Sequence, residues 1–248
     1  MNLRSMLTGL VSTIVISASL VTAIAAPVNA GADKVYGTQF AWDNNFNNSN
    51  IGVSFGSGSS PNMTVNYNFS SFNLYGYPAC IQGWHYGWNP ANSTKYPKQI
   101  KNLGTDNAQF YYSWGGSNQY GDFAYDLFLR NDSSKSTPEL EVMIWNKNNS
   151  WPIGTKVKSG TVNGQDLWMG YNSAAGYETF SFVPAGTGGG SAFASSGSGN
   201  YNINVTSYLN YLDSNYGSFV NSNWYLDVVE GGQEITNGNG WTWVEMIN

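Results

Sequence analysis

The chain has 248 residues, of which 41% are hydrophobic, 16% aromatic and only 10% charged, with 10 Lys and Arg against 15 Asp and Glu for a net charge of −5. It therefore offers no basic patch for nucleic acid and no polybasic stretch for an anionic membrane surface. Its one histidine, His85, and one cysteine, Cys80, exclude a zinc site built from several histidines, a two-histidine iron centre and a disulfide within the chain.

Residues 1–30 open with one basic residue, Arg4, run through about twenty mostly apolar positions and end in small residues, the layout of a secretory signal peptide. Cleavage is expected near Ala30, with Ala25, Ala26 and Ala32 as alternative boundaries. The apolar run is also long enough to span a bilayer, so an uncleaved anchor is the competing reading. The first reading predicts a secreted, extracellular protein without membrane contact in its mature form. Residues 31–248 then suit a single all-β domain, expected to act as a monomer.

Beyond the leader, segments of alternating polarity follow one another: MTVNYNFSSFNL (63–74), QFYYSW (109–114), DFAYDLFLR (122–130), ELEVMIW (139–145), SGTVNGQDLWMGYN (159–172), GYETFSFVP (176–184), NWYLDVVE (223–230) and WTWVEMIN (241–248). Clusters such as FGSGSSPN, GTGGGSAFASSGSGN and TNGNG separate them. Short strands joined by such turns predict a two-sheet antiparallel β-sandwich or jelly roll. One stretch differs: NVTSYLNYLDSNYG (204–217) carries Val205, Tyr208, Leu209 and Leu212 at helical spacing, which predicts one helix packed on the sheets. The glycine-rich residues 186–199 are expected to form a surface loop; they contain no lysine to serve a phosphate. Cys80 is expected to be a small buried residue rather than a nucleophile.

The chemistry rests on carboxylates set among aromatic residues. In a strand over 139–145, Leu140, Val142 and Ile144 face one way, while Glu139, Glu141, Met143 and Trp145 face the other. The first set suits a core and the second the wall of a cleft. Asp126 in AYDLF shares a strand face with Phe128 and can reach Glu141 from the next strand, and Glu234 follows in EGGQEITNGNG. Two carboxyl groups suffice to cleave a glycosidic bond, one ionised and one protonated. A serine triad would have to use His85, yet no G-x-S-x-G elbow supplies its serine. The 10 Trp, 17 Tyr and many Asn and Ser suit a neutral polyhydroxylated partner, whose rings stack on aromatic faces and whose hydroxyls pair with amides. The competing use of the aromatic residues is to fill a large β core.

The order A-Y-D-L-F, E-V-M-I-W, W-P-I-G, F-S-F-V and G-Q-E-I-T-N-G-N-G resembles glycoside hydrolase family 12, from about residue 38 to the C-terminus. The resemblance implies a β-jelly-roll with an open cleft and a retaining endo-β-1,4-glucanase that needs no metal or organic cofactor. Carried over by motif, it implies Glu141 as nucleophile, Glu234 as general acid/base and Asp126 as the acid in contact with the nucleophile. It also implies Met143 in the site floor and substrate contacts at Asn45, Trp84, His85, Trp145 and Pro152. Glu139 has no counterpart and is read as a solvated acid at the strand end. Where the family has N-N-x-W this chain has NNFN, so Asn47 stands in place of a stacking tryptophan that Trp42 or Trp84 would replace. The expected partner is a β-glucan: cellulose, mixed-linkage glucan or xyloglucan. A non-catalytic carbohydrate-binding jelly roll and a structural surface protein are the alternatives.

Overall fold

Period-two alternation becomes strand along most of the computed structural model, which describes residues 33–46, 48–186 and 191–247. The leader, its cleavage boundary and Asn47 lie outside the described residues. In chain order the strands are β1 (Asp33–Tyr36), β2 (Gln39–Trp42), β3 (Ile51–Phe55), β4 (Asn62–Phe69), β5 (Ala79–Gly83), β6 (Lys98–Gln99), β7 (Asn107–Arg130), β8 (Leu140–Asn148), β9 (Thr155–Lys158), β10 (Asp166–Asn172), β11 (Tyr177–Val183), β12 (Ser196–Asn204) and β13 (Tyr225–Ile247). Among the described residues one α-helix, α1 (Val205–Tyr216), stands between β12 and β13.

The long strands β7 and β13 pair with each other from Arg130 opposite Tyr225 to Gln109 opposite Ile247. This ribbon belongs to both layers of a jelly-roll sandwich. One half lies in the sheet ordered β1-β2-β5-β13-β7-β8-β11-β10-β9, which carries the cleft; the other half lies in the outer sheet β3-β4-β13-β7-β12. Between the layers the register shifts twice, around Asn237. Gly121 holds the bend on β7 at φ +140°, and a Cβ there would sit 1.8 Å from the Glu234 carbonyl oxygen. Only glycine tolerates both that backbone conformation and that approach. The segments 109–114 and 122–130 are therefore one bent strand, as are 223–230 and 241–248, because glycine bends the chain without breaking its ladder.

Two expectations need correction. The cleft sheet is not wholly antiparallel, since β11 runs parallel to β8 from Leu140 opposite Glu178 to Ile144 opposite Phe182. A parallel pair needs a long crossover, and the β9 and β10 excursion supplies it. The second concerns the glycine-rich loop, whose later part, Ser196–Asn204, is β12, paired along β7. Glycine is used there for packing: a Cβ on Gly197 would strike the Trp114 ring at 2.2 Å, and one on Gly199 would meet the Tyr112 hydroxyl at 2.5 Å.

Between the layers lie Leu140, Val142 and Ile144 of β8, Phe110, Tyr125 and Leu127 of β7, Phe180 and Phe182 of β11, and Cys80. Each such large apolar side chain contributes about 1.5–3 kcal/mol on burial. The helix turns Val205, Tyr208, Leu209 and Leu212 inward, as its spacing predicts. The Tyr208 hydroxyl donates to Gln165 Oε1 at 2.8 Å, and Gln165 Nε2 donates to the carbonyls of Trp145 (2.8 Å) and Phe182 (3.2 Å). The helix is thereby tied to the two strands that support the cleft floor.

Candidate active site

With the even-numbered apolar residues of β8 committed to the core, Glu141, Met143 and Trp145 must project from the opposite face of the cleft sheet. Register then decides what they meet. Glu141 lies opposite Phe128 of β7 and Thr179 of β11, Met143 opposite Asp126 and Ser181, and Trp145 opposite Ala124. Across the β7–β13 ladder, Asp126 faces Glu230 and Asp122 faces Glu234. Residues opposite one another share a face, so five carboxylates, Asp122, Asp126, Glu141, Glu230 and Glu234, stand on one sheet surface.

Each has a distinct set of partners. The Thr179 hydroxyl donates to Glu141 Oε2 at 3.0 Å. His85 Nδ1 lies 2.5 Å from Glu230 Oε1. The Asp122 carboxyl is hydrogen-bonded to that of Glu234, and Ser150 Oγ lies 3.5 Å from Asp122 Oδ2. Asp126 is buried, and its Oδ1 has no hydrogen-bond partner among the described residues.

Burial is the main cause that raises Glu141, Asp126, Asp122 and Glu234. It pushes Glu141 up to about 8 from 4.5; the Thr179 hydrogen bond opposes the rise, and the charges of Glu234 and Glu230 add to it. Asp126 is raised well above the carboxylate range by burial, then by the charges of Glu141, Glu234 and Glu230. Asp122 is raised well above it by burial and by Glu234. Glu234 is raised by burial, while the bond from Asp122 favours its ionised form. A set of close, water-poor carboxyls retains protons at neutral pH while some members ionise, the condition for pairing an anion with an acid.

The other expected residues are spread along this surface. Met143 and Trp145 are buried beside Ala124 and Val183, with Trp168 against them. Trp145 is only 1% exposed, so it forms floor. Pro152 is buried, but the preceding Trp151 is 66% exposed and its ring lies 6.3 Å from that of Trp168. His85 is buried among the rings of Trp42 (4.7 Å), Tyr86 (4.9 Å) and Phe128 (5.6 Å).

Asn45 and Trp84 are not brought together. Asn45 adjoins Gly76, which bridges to Ile235 beside Glu234. Trp84 stacks on the Arg130 guanidinium at 5.7 Å, and Arg130 Nε donates to Asp227 Oδ1 at 2.7 Å. The β13 positions they adjoin, Asp227 and Ile235, are eight residues apart, roughly 26 Å of strand. Glu139 lies outside the cluster: it pairs with Lys135 and accepts from the Asn131 N–H at 2.9 Å.

Sequence reasoning missed Asp122 and Glu230. Each precedes a selected acid by four residues on the same strand, an even interval that fixes a common face, and that signal was available. Thr179, Trp151 and the Tyr86–Tyr177 hydroxyl pair (2.7 Å) carried no such signal, because they arrive from separate strands and loops. Among the described residues, no group of three or more His, Cys, Asp or Glu is arranged to hold a metal ion. No described helix is long and apolar enough to cross a membrane.

The sequence model of glycosyl hydrolase family 12 matches residues 43–246. Endoglucanase S of Pectobacterium parmentieri is 24% identical over 180 residues, a match covering 69% of this chain and 64% of that protein. A probable xyloglucan-specific endo-beta-1,4-glucanase A of Aspergillus terreus (strain NIH 2624 / FGSC A1156) is 31% identical over 150 residues, covering 58% and 54%. The chain thus spans less than two thirds of the length of these curated relatives. Among solved structures, the native family 12 xyloglucanase from Bacillus licheniformis superposes with a TM-score of 0.69 at 23% identity, covering 87% of this chain and 95% of that one. The Trichoderma harzianum endoglucanase 3 gives 0.65 at 24%, covering 88% and 92%. These likenesses establish the β-jelly-roll sandwich.

Proposed function

This chain belongs to glycosyl hydrolase family 12, and we propose that it is an endo-β-1,4-glucanase that cleaves internal bonds of a β-glucan with retention of configuration. The observation that carries this reading is the carboxyl set on β7, β8 and β13, buried except for the half-buried Glu234. Within it, Glu141 has a hydroxyl donor for its anion, and Glu234 shares a proton with Asp122.

In the first step Glu141, its proton passed to a neighbouring carboxyl of the set and its anion held by the Thr179 hydroxyl, attacks the anomeric carbon as the carboxylate. The bond to the leaving oxygen breaks, and Glu234 delivers a proton to that oxygen. Asp122 holds this proton against Glu234 before the substrate arrives. Once Glu141 is esterified its charge is gone, so Glu234 more readily stays ionised and takes a proton from the incoming water. Water then displaces Glu141 and restores the carboxylate. Asp126 is a positioning residue that fixes the Glu141 carboxyl across the β7–β8 ladder. Such a pair works with its carboxyls about 5–5.5 Å apart in the complex, whereas an inverting pair needs about 6.5–9.5 Å. No step calls on a metal or organic cofactor.

Asn45, Trp84, His85, Met143, Trp145 and Pro152 complete the proposed substrate surface, His85 through its hold on Glu230. The relatives include both an endoglucanase and a probable xyloglucan-specific endo-beta-1,4-glucanase, so xyloglucan stands beside cellulose and mixed-linkage glucan as the candidate substrate. We read the protein as a secreted monomer released by cleavage near Ala30. A non-catalytic binding module is disfavoured because binding a neutral sugar requires no proton donor set beside a nucleophilic carboxylate.

The test is reducing-end release from a soluble cellulose derivative, lichenan and xyloglucan. At least one is hydrolysed by the parent, and Glu234→Gln lowers kcat by about 10²–10⁴-fold. Absence of hydrolysis on all three would overturn the proposal.

A further inference from the structure

The outer sheet, on the far side of the core from the carboxylates, carries a second aromatic surface that the catalytic reading does not use. Along β13, Trp241 and Trp243 point out of this sheet while Val244 and Met246 point into the core. Trp241 is opposite Gly115 of β7, Trp243 opposite Ser113, and Glu245 opposite Tyr111. On the next strand, Ser198 and Asn200 of β12 stand opposite Ser113 and Tyr111. Beside the two tryptophans on their other flank, Asn66 and Thr64 of β4 are opposite Trp241 and Trp243.

Two details make this a built platform rather than a scatter of exposed rings. A Cβ at Gly115 would lie 2.6 Å from Trp241 Nε1 and 2.8 Å from Cε2. The indole therefore lies down on the bare backbone of residue 115, leaving its other side to solvent, and Trp241 is 41% exposed. Next to it, a hollow of about 470 Å³ opens between Trp243, Tyr111, Ser113, Ser198 and Asn200, with no charged side chain among the described residues that line it. The Tyr111 hydroxyl accepts a hydrogen bond from Gln109, which holds the ring in place. Glu245 borders the hollow without lining it.

The occupant is chosen by this chemistry. Trp241 and Trp243 are two residues apart on one strand, about 6.7 Å, and Tyr111 is diagonal to Trp243 at about 7–8 Å. Rings at such intervals beside a hollow lined by Ser and Asn match the alternating apolar faces and hydroxyls of a chain of pyranose units. A nucleic acid or an acidic polysaccharide would need cations that the lining lacks. We infer that the outer face is a second binding site, outside the cleft, for a neutral β-linked glucan chain. It would hold polymeric substrate while the cleft acts on another part of it. The identity of the glucan rests on the function proposed above; the existence of the site does not.

The test pairs binding with hydrolysis. Full-length protein carrying Glu141→Gln is mixed with amorphous insoluble cellulose, and the bound fraction is measured across protein concentrations. The same is done after adding Trp241→Ala and Trp243→Ala, and separately Trp241→Tyr, which keeps a ring. The double alanine variant should bind about tenfold less tightly, and Trp241→Tyr should bind within about threefold of its parent. In the otherwise unmodified enzyme, the double alanine variant should hydrolyse a short soluble oligosaccharide as before while its KM for insoluble glucan rises. Equal binding by the parent and double alanine variant would overturn the inference. So would a concentration-dependent dimer abolished by Trp241→Ala, which would give the face to a second copy. A parent that binds cellulose through this face yet hydrolyses no glucan would sink the proposed function and leave this site standing.

Discussion

Keeping Glu141 out of water costs the fold stability at alkaline pH. Its proton is held more tightly in the folded chain, at about 8, than at the ordinary 4.5, chiefly because of burial. A raised acid contributes most favourably below its unfolded value, and that contribution is lost as the pH rises through the folded value. The protein should therefore melt at a higher temperature near pH 5 than near pH 8.5. Glu141→Gln should flatten that dependence and stabilise the alkaline state by an amount on the order of a few kcal/mol. Calorimetry of both proteins at the two pH values checks this, and an unchanged slope would mean that Glu141 is not held protonated by burial. A second residue-scale outcome concerns Asp126, proposed above as a positioning residue for Glu141. Asp126→Asn should lower kcat less than Glu141→Gln does and shift the acidic limb of the pH–rate profile, whereas a purely structural role would leave that limb in place. Glu141, Asp126 and Glu234 were readable from alternation together with the family resemblance. The threonine that donates to Glu141 was not, because Thr179 reaches it from a parallel strand that no local pattern announces.

At the scale of elements, the site depends on how closely β7 and β13 approach where they leave the cleft sheet. Gly121 is the contact point, with the Glu234 carbonyl oxygen where its Cβ would stand. Gly121→Ala should force the ribbon apart at Glu234, lowering kcat while costing about 1–3 kcal/mol of stability; kinetics alongside a denaturant titration separates the two effects. A variant as active and stable as the parent would show that the close approach is dispensable. The same bend explains what the sequence concealed. Gly116, Gly121 and Gly238, all at positive φ, read locally as turns, so two long strands looked like four. The glycines of 197 and 199 looked like a loop because the rings of Trp114 and Tyr112 that they accommodate lie some eighty residues away in the chain. The helix, by contrast, was legible because its apolar spacing is entirely local and agrees with its buried face.

Across the whole molecule, the two long strands divide the labour between the layers. Their one half aligns Asp122, Asp126, Glu230 and Glu234 on the cleft sheet, and their other half carries Tyr111, Trp241 and Trp243 on the outer sheet. The sandwich holds these surfaces apart with a shared core and, in its described residues, no disulfide; Cys80 is buried and its thiol donates to the Pro61 carbonyl at 3.2 Å. The central claim is that Glu141 and Glu234 act as a nucleophile and acid/base pair on a β-glucan chain. Proton NMR of the first reducing ends released from a soluble β-1,4-glucan, recorded before mutarotation, tests it most directly. The β-anomer should appear first and then decay toward equilibrium; the α-anomer as first product would contradict direct attack by Glu141 and imply a water between the two carboxyls.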